Sequence, residues 1–313
     1  MKKVQRILLA AILIGALVYG WAHKELFFSL RNISASHVFA LILLTFLSEL
    51  QNGYKFRLLM KMFNVNLDFR AWYGLSVCNA MLNCYLPAKG GLAARAYYLK
   101  RRYQFGYSQY ASLAAGSCII AFPVSAGTGL AVVILYAVTG HVFYRTLAVV
   151  FGSLLLLTTL GVFVVLLLCN RGKMPQGGRF SQVIYRVMQG LSLFPANKRL
   201  VFWHSVLHIT GILTWAARLL VAFSAVGIPV IFSDMVMTSS LGTFALLLPL
   251  TPASLGVSEG IVGASAHLYG IPADTAVLAA LVDRAVATTI TLLLGLVFSR
   301  ILVSDLILAE GES

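Results

Sequence analysis

The sequence predicts an all-α polytopic membrane protein, and three observations support this class. Of its 313 residues, 59% are hydrophobic and 11% are charged, whereas a soluble domain carries about 25% charged residues. The mean hydropathy is +0.87. Apolar runs recur along the chain at lengths near the ~20 residues that one membrane-spanning helix requires. This composition excludes an ordinary cytosolic or secreted globular protein.

The charge balance indicates which loops face the cytoplasm. The chain has 24 Lys and Arg against 10 Asp and Glu, a formal net charge of +14. On a chain this apolar, excess positive charge is typical of cytoplasmic loops and of contact with anionic lipid. No basic stripe interleaved with aromatic residues is present, so we expect no nucleic-acid partner. The cysteines show no CxxC spacing and predict neither a disulfide nor a zinc site: Cys78, Cys84, Cys118 and Cys169.

Two spans are predicted at the start of the chain. The apolar run from Ile7 to Ala22 follows a basic start and lacks a convincing Ala-x-Ala cleavage site. We therefore expect an uncleaved first helix that runs outward from a cytoplasmic N-terminus. A second span, at about 38–54, returns to a basic cytoplasmic stretch that contains Lys55, Arg57, Lys61 and Arg70.

The apolar segment that follows does not fit a full span. Basic stretches flank it on both sides, at 55–70 and 89–102, and one of them would lie outside if the segment crossed the membrane. The sequence Leu86-Pro-Ala-Lys-Gly-Gly91 also interrupts it. A re-entrant hairpin over about 71–92, which enters from the cytoplasm and turns at Pro87, satisfies both observations.

The remaining segments complete a prediction of about six full spans and two re-entrant helical hairpins. Stretch 170–199 is predicted to be a cytoplasmic linker with an amphipathic surface helix. Segment 233–270 is interrupted at 249–256 and predicts a second hairpin, entering from outside. The chain thus divides into a transmembrane half 1–169, the linker, and a transmembrane half 200–313 with a cytoplasmic C-terminus. The four further spans are expected at about 108–139, 147–168, 201–226 and 275–302.

The two interrupted segments resemble each other. Pro87 precedes Ala114 of a Leu-Ala-Ala run by 27 residues, and Pro252 precedes Ala279 of another by the same 27. Their predicted orientations are opposite, which indicates a pseudo-inverted repeat of the kind found in transporters with a substrate site near the bilayer midplane. Chance similarity stays open as the alternative, because alanine and glycine are common in membrane helices.

Motifs at the two interruptions carry a family resemblance. Asn83-x-x-Leu-Pro87 is followed by Gly90 and Arg95, and Pro249-Leu-Thr-Pro252-x-x-Leu-Gly256-Val-x-Glu259 is followed by Asp283-Arg284. These resemble the two motifs of the lysylphosphatidylglycerol synthase/flippase transmembrane family, and the likeness spans nearly the whole chain. It departs at 116–119, where that family often has an acidic residue and an arginine. Larger relatives add a soluble aminoacyl-transfer domain, whereas this chain has 313 residues. The resemblance therefore implies a stand-alone lipid flippase-like module and not an aminoacyl-lipid synthase. We expect no cofactor.

Several ionisable residues in apolar segments are candidates for substrate binding. A charge at the centre of a span costs ~2.5–3.5 kcal/mol on insertion scales, so Glu259, Asp283 and Arg284 are expected to face an interior or a wet path. They either handle substrate or protons, or form a structural Asp283–Arg284 or Glu259–Arg284 ion pair. Glu49, near the inner end of the second span, either belongs to the site or reaches to the interface.

The first interruption supplies further candidates. Arg95 and Lys89 follow it, and a guanidinium offers two parallel N–H donors to a phosphate. The alternative for both is ordinary positive-inside charge. Asn83 belongs to the same motif and is assigned to the site with them. Backbone N–H groups of the loops would add anion contacts at helix starts; the loop-forming residues are Pro87, Gly90, Gly91, Pro252 and Gly256.

Two other patterns predict no chemistry. Gly256-Val-Ser-Glu-Gly260 matches the G-x-S-x-G nucleophile elbow, but that motif needs a strand–turn–helix context and the flanks here are membrane helix. His204 and His208 stand four residues apart, as metal ligands can, yet no HExxH pattern or nearby third ligand accompanies them. We expect neither a catalytic residue nor a bound metal.

These observations together predict a lipid flippase or transporter of the inner membrane, not an enzyme. It would move a phospholipid or a polyprenyl-phosphate-type lipid between leaflets, with phosphate-bearing membrane lipids as partners and envelope biosynthesis enzymes as further candidates. Two alternatives stay open: a membrane-embedded lipid-modifying transferase, and a non-transporting scaffold of an envelope-glycan or lipid pathway. Against the transferase, the hydrophilic stretches 88–107 and 170–199 are too short for a donor-binding domain.

Overall fold

The described part of the chain is all-helical, as the sequence predicts. The computed structural model describes residues 33–86, 90–139, 144–170, 179–247 and 254–311, and no β-strand occurs among them. The predicted first span, 7–22, lies outside the described residues. Helices follow one another in the order α1 Ala35–Met62, α2 Phe69–Tyr85, α3 Gly90–Tyr103, α4 Tyr107–Val138, α5 Arg145–Asn170, α6 Arg179–Leu191, α7 Leu193–Ala196, α8 Lys198–Ala225, α9 Phe232–Gly242, a 3-10 turn Thr243–Leu247, α10 Val257–Leu268 and α11 Ala273–Gly311.

Four described helices are long and apolar enough to cross a membrane. They are α4, α5, α8 and α11, with the qualifying segments Tyr107–Val138, Arg145–Cys169, Lys198–Ala225 and Ala273–Ile307. The second predicted span is contained in α1, which has 28 residues but carries several charged side chains in its second half. The number of six full spans stays a prediction.

Helix α5 shows directly why a membrane is expected. Its leucines Leu156 and Leu157 are 70% and 66% exposed, and Phe163 is 58% exposed. A helix whose apolar side chains face outward in this way must be covered by lipid or by another protein, because a patch of this kind is unfavourable in water. On its inner side, Phe151 packs onto Gly129 of α4, where a Cβ would lie 2.1 Å from the ring.

The first interrupted segment is a helix, a break and a second helix. Gly91, at the start of α3, donates its backbone N–H to Asn83 Oδ1 of α2 at 3.0 Å. A Cβ on Gly91 would lie 2.3 Å from the Asn79 carbonyl oxygen, so glycine permits an approach that a side chain would block. A Cβ on Gly90 would likewise lie 2.5 Å from the Cβ of Leu86. The break falls within the predicted segment, and its re-entrant course in the bilayer stays a prediction.

The second interrupted segment has the same organisation. Helix α9 continues as a 3-10 turn to Leu247, and α10 begins after Gly256, whose φ is +84°. This left-handed backbone suits glycine. The loop residues Pro87 and Pro252 lie outside the described residues, so their predicted turn-forming roles stay predictions.

The order of elements and their packing partners repeat between the two halves. A long helix, an interrupted pair and a second long helix occur as α1–α4 and again as α8–α11. The two leading helices α1 and α8 pack against each other, α2 packs on α11, and α4 packs on α9. The interrupted segment of each half therefore packs against the last long helix of the other half. The opposite orientation of the halves stays a prediction.

The linker between the halves contains the helix α6 at Arg179–Leu191. It packs on α4, where Ser112 Oγ donates a hydrogen bond to the Val187 carbonyl at 3.0 Å. Gly190 of α6 lies against the same serine, where a Cβ would be 2.3 Å from its hydroxyl oxygen. The linker helix is thus joined to the N-terminal half.

Candidate functional site

A cavity of about 310 Å³ opens between α2, α8, α10 and α11. Both interrupted segments contribute to it, through α2 and α10, together with the candidate spans α8 and α11. Its volume is at the lower end of the range of about 300–1,000 Å³ that is typical of small-molecule sites. The polar side chains that line it are Asn83, Arg218, Ser258, Glu259, Asp283, Arg284, Thr288 and Thr291.

One wall of this cavity carries a two-pronged ion pair between α8 and α11. Arg218 Nε lies 2.8 Å from Asp283 Oδ1, and Arg218 Nη2 lies 2.9 Å from Asp283 Oδ2. The two side chains are 11% and 7% exposed. Parallel N–H donation to both carboxylate oxygens is the strongest geometry available to an arginine. The pair thus neutralises both charges between two membrane helices.

A second ion pair faces the same cavity from α10 and α11. Arg284 Nε contacts Glu259 Oε1, and Glu259 Oε2 accepts the backbone N–H of Gly256 at 2.8 Å. Glu259 therefore fixes the start of α10 while it neutralises Arg284. We call the space lined by Arg218, Glu259, Asp283 and Arg284 the ion-paired cavity.

These contacts decide between the ion pairs that the sequence left open. Glu259–Arg284 is present, whereas Asp283 pairs with Arg218 and not with its neighbour Arg284. Successive residues on a helix point in different directions and do not face each other, so adjacency in sequence was a poor guide to this partner.

Glu49 lies beside the ion-paired cavity. Its side chain is buried between α1 and α11, with the whole residue 8% exposed, and Thr291 donates a hydrogen bond to Oε1 at 3.3 Å. Thr291 also lines the cavity. Of the two alternatives for Glu49, burial against α11 favours a place in the protein interior over a side chain that reaches to the membrane interface.

The candidates of the first interruption divide into two groups. Asn83 lines the cavity and also holds the start of α3, as described above. Arg95 is not among the described residues that line the cavity. Its Nε donates to the Leu75 carbonyl at 3.2 Å, and its guanidinium lies over the Phe56 ring, 4.4 Å from the centroid. Lys89 lies outside the described residues. Phosphate binding by Arg95 and Lys89 stays a prediction.

The histidine pair is split between two environments. His208 Nε2 lies 2.8 Å from Ser125 Oγ of α4, whereas His204 is 1% exposed. The described residues contain no group of three His, Cys, Asp or Glu that could hold a metal ion.

Comparison with known proteins identifies the family. The profile described as lysylphosphatidylglycerol synthase TM region matches residues 4–295. The chain belongs to this family. A UPF0104 membrane protein of Methanothermobacter thermautotrophicus is 36% identical over 86 residues, which cover 26% of this chain and 24% of that relative. The chain thus matches about a quarter of the relative's length. Family membership and the four apolar helices together make this a multi-pass membrane protein.

Sequence reasoning missed one charged residue of the cavity in this member of the family. Arg218 is the only charged residue between Arg199 and Asp234, within an otherwise apolar helix. The insertion cost that singled out Glu259 applies equally to Arg218. A lone arginine in an apolar segment was therefore a sufficient reason to include Arg218 among the candidates. That Asp283 is its partner becomes evident only from the packing of α8 against α11.

Proposed function

We propose that this protein carries a lipid with a phosphate-bearing head group between the leaflets of the inner membrane, without changing it covalently. The observation that supports this proposal is the presence of two arginine–carboxylate pairs in one cavity between candidate spans. Two cations and two carboxylates meet there, at Arg218, Asp283, Arg284 and Glu259. Ionisable groups at such depth are rare and commonly mark a substrate or ion path.

The charges of this cavity suit a head group that carries both signs. A lipid phosphate would take over the N–H donors of Arg218 or Arg284, while a cationic group of the same head group would approach the released carboxylate. Each broken ion pair is then replaced by another, so no charge is left unpaired in a low-dielectric interior. An anionic lipid would instead leave Asp283 or Glu259 to be neutralised by a proton.

The position of the cavity supports a carrier in which only the head group is enclosed. Its volume of about 310 Å³ accommodates a head group and not two acyl chains, which would stay in the bilayer. Helices from both interrupted segments line it, and in transporters with inverted repeats a site between such segments can open to either side. We propose that the two halves rock around the ion-paired cavity.

The decisive experiment is leaflet translocation by the purified protein in liposomes. Fluorescent phospholipids with zwitterionic, anionic and cationic head groups would be compared, together with a polyprenyl phosphate. Glu259→Gln and Asp283→Asn should each lower translocation at least tenfold at an equal amount of folded protein. Asp68→Asn, which removes the same charge from an exposed position in the α1–α2 connection, is the matched control and should keep wild-type activity.

The outcomes separate the remaining alternatives. Loss of folded protein in parallel with activity would assign the ion pairs a purely structural role. Translocation that is unchanged in both cavity variants would favour the non-transporting scaffold. Recovery of a chemically altered lipid would favour a transferase, because a carrier returns its lipid intact.

A further inference from the structure

A second cavity, of about 300 Å³, lies on the other side of Trp215 and Arg218 from the ion-paired cavity. It is lined by residues of α1, α8, α9 and the 3-10 turn that follows α9. Its polar lining differs in kind from that of the first cavity, since no described carboxylate contributes to it. We call it the Lys55 cavity. Arg218, whose charge is balanced by Asp283, lines it as well, and its other polar side chains are Ser48, Gln51, Asn52, His208, Trp215, Ser239 and Thr243.

Lys55 differs from Arg218, the other cation of this cavity, because Arg218 is paired with Asp283 whereas Lys55 has no ion-pair partner among the described residues. Its ammonium lies over Gly211 of α8, where a Cβ would be 3.5 Å from Nζ. Within the described chain the ammonium has neither an ion pair nor a hydrogen bond. Glu49 interacts with it electrostatically, but the Glu49 carboxylate bonds Thr291 and does not line the Lys55 cavity. The basic stretch that the sequence places in a cytoplasmic loop thus begins at a half-buried lysine that lies against α8.

Hydroxyl donors surround the same space. Ser239 is 0% exposed, and its Oγ has no hydrogen-bond partner among the described residues. Thr243 Oγ1 accepts a hydrogen bond from Ser125 at 2.9 Å, which leaves its own proton to be donated. A buried hydroxyl without a hydrogen-bond partner destabilises the fold. An acceptor atom of a bound ligand would remove this cost by accepting a hydrogen bond from Ser239.

We propose that the Lys55 cavity binds a phosphate-type oxyanion, with Lys55 as its charge and Ser239 and Thr243 as hydrogen-bond donors. An ammonium with several neutral donors and no lining carboxylate selects an anion and disfavours a cation. The inference goes beyond the proposed function, because it concerns a second site and holds whether or not the protein moves lipid. The phosphate can belong to a lipid head group or to free inorganic phosphate.

Binding to the full-length protein in an uncharged, phosphate-free detergent tests the site. The probes are radiolabelled orthophosphate and the short-chain dihexanoyl phosphatidic acid. Lys55→Gln should weaken binding at least tenfold, since one charge-assisted contact is lost. Ser239→Ala keeps every charge and should weaken it about threefold to tenfold. Lys61→Gln removes the same charge from the same helix outside the cavity and should change affinity less than twofold.

Each outcome decides the question. Orthophosphate binding that depends on Lys55 identifies free phosphate as a ligand; binding of phosphatidic acid alone, with the same dependence, identifies a lipid phosphate. If Lys55→Gln does not fold, as judged by thermal unfolding, Ser239→Ala decides alone. The proposal is overturned if neither probe binds, or if Lys61→Gln changes the affinity for the probe as much as Lys55→Gln does. Where Ser239→Ala is the deciding variant, wild-type affinity in that variant also overturns the proposal. Lipid translocation is not measured here, so failure of the site leaves the proposed function untouched.

Discussion

Gln51 Nε2 donates a hydrogen bond to Thr214 Oγ1 at 3.0 Å, and the two residues occupy the same position in two helices of equal length. Helices α1 and α8 each have 28 residues, and each of the two residues lies sixteen positions after the first residue of its helix. Lys55 and Arg218 follow one turn later, again at matching positions. The two halves therefore meet at this bond, and each half places one cation beside it.

The Arg218–Asp283 pair gives the first prediction. Arg218→Met or Asp283→Leu alone should lower the free energy of unfolding by about 3–5 kcal/mol, because each leaves an unpaired buried charge. The double variant should recover most of this loss, since no charge remains. Denaturant unfolding in detergent of the two single variants and the double variant forms the cycle. Additive losses in the double variant would mean that the two side chains do not stabilise each other.

Gly91 gives a second prediction about the first interruption. Gly91→Ala should destabilise the protein by about 1–3 kcal/mol, because its methyl group would meet the Asn79 carbonyl and force α2 and α3 apart. Gly127→Ala in α4 is the control: nothing lies within 4 Å of a Cβ there, so the change should be neutral or stabilising by up to about 1 kcal/mol. The melting temperatures of the two variants provide the comparison, and equal values would contradict the close packing of α2 on α3.

Arg95 can be tested by a conservative substitution. Arg95→Lys keeps the charge but cannot reproduce the planar contact with Phe56 or the Nε–H bond to the Leu75 carbonyl. We expect lower thermal stability with unchanged affinity for lipid. Arg101→Lys, at an exposed position of the same helix, should change neither quantity. Weaker lipid binding by Arg95→Lys at unchanged stability would instead support the phosphate contact that the sequence predicts.

The course of the first interrupted segment is testable by labelling. Single cysteines at Lys61 and Arg101, in a chain without its four native cysteines, flank α2 and most of α3. If the segment is re-entrant, both cysteines lie in the cytoplasm and an impermeant thiol reagent added outside labels neither. Permeabilised cells supply the positive control for reactivity. External labelling of one site alone would show that the segment crosses the bilayer.

The positions of the apolar spans could be predicted from the sequence, whereas the partners of their charged residues could not. Apolar runs predict a span at 108–139, and the helix is Tyr107–Val138. Hydropathy is a local property, so it transfers to structure with little loss. The partner of Asp283 depends on α8, 65 residues earlier. Likewise, the positive-inside rule assigns Lys55 to a loop, but α1 continues to Met62 and turns this lysine toward α8.

The matching of charges in the ion-paired cavity has an electrical consequence. Arg218 and Arg284 are balanced by Asp283 and Glu259, so the four side chains sum to zero. A transmembrane voltage contributes about 2.3 kcal/mol for each elementary charge moved through 100 mV. If the protein is the carrier proposed above, its conformational change without lipid would not depend on the membrane potential through these four groups. Any voltage dependence contributed by this cavity would come from its cargo, so a zwitterionic lipid would cross at a rate that the potential leaves unchanged.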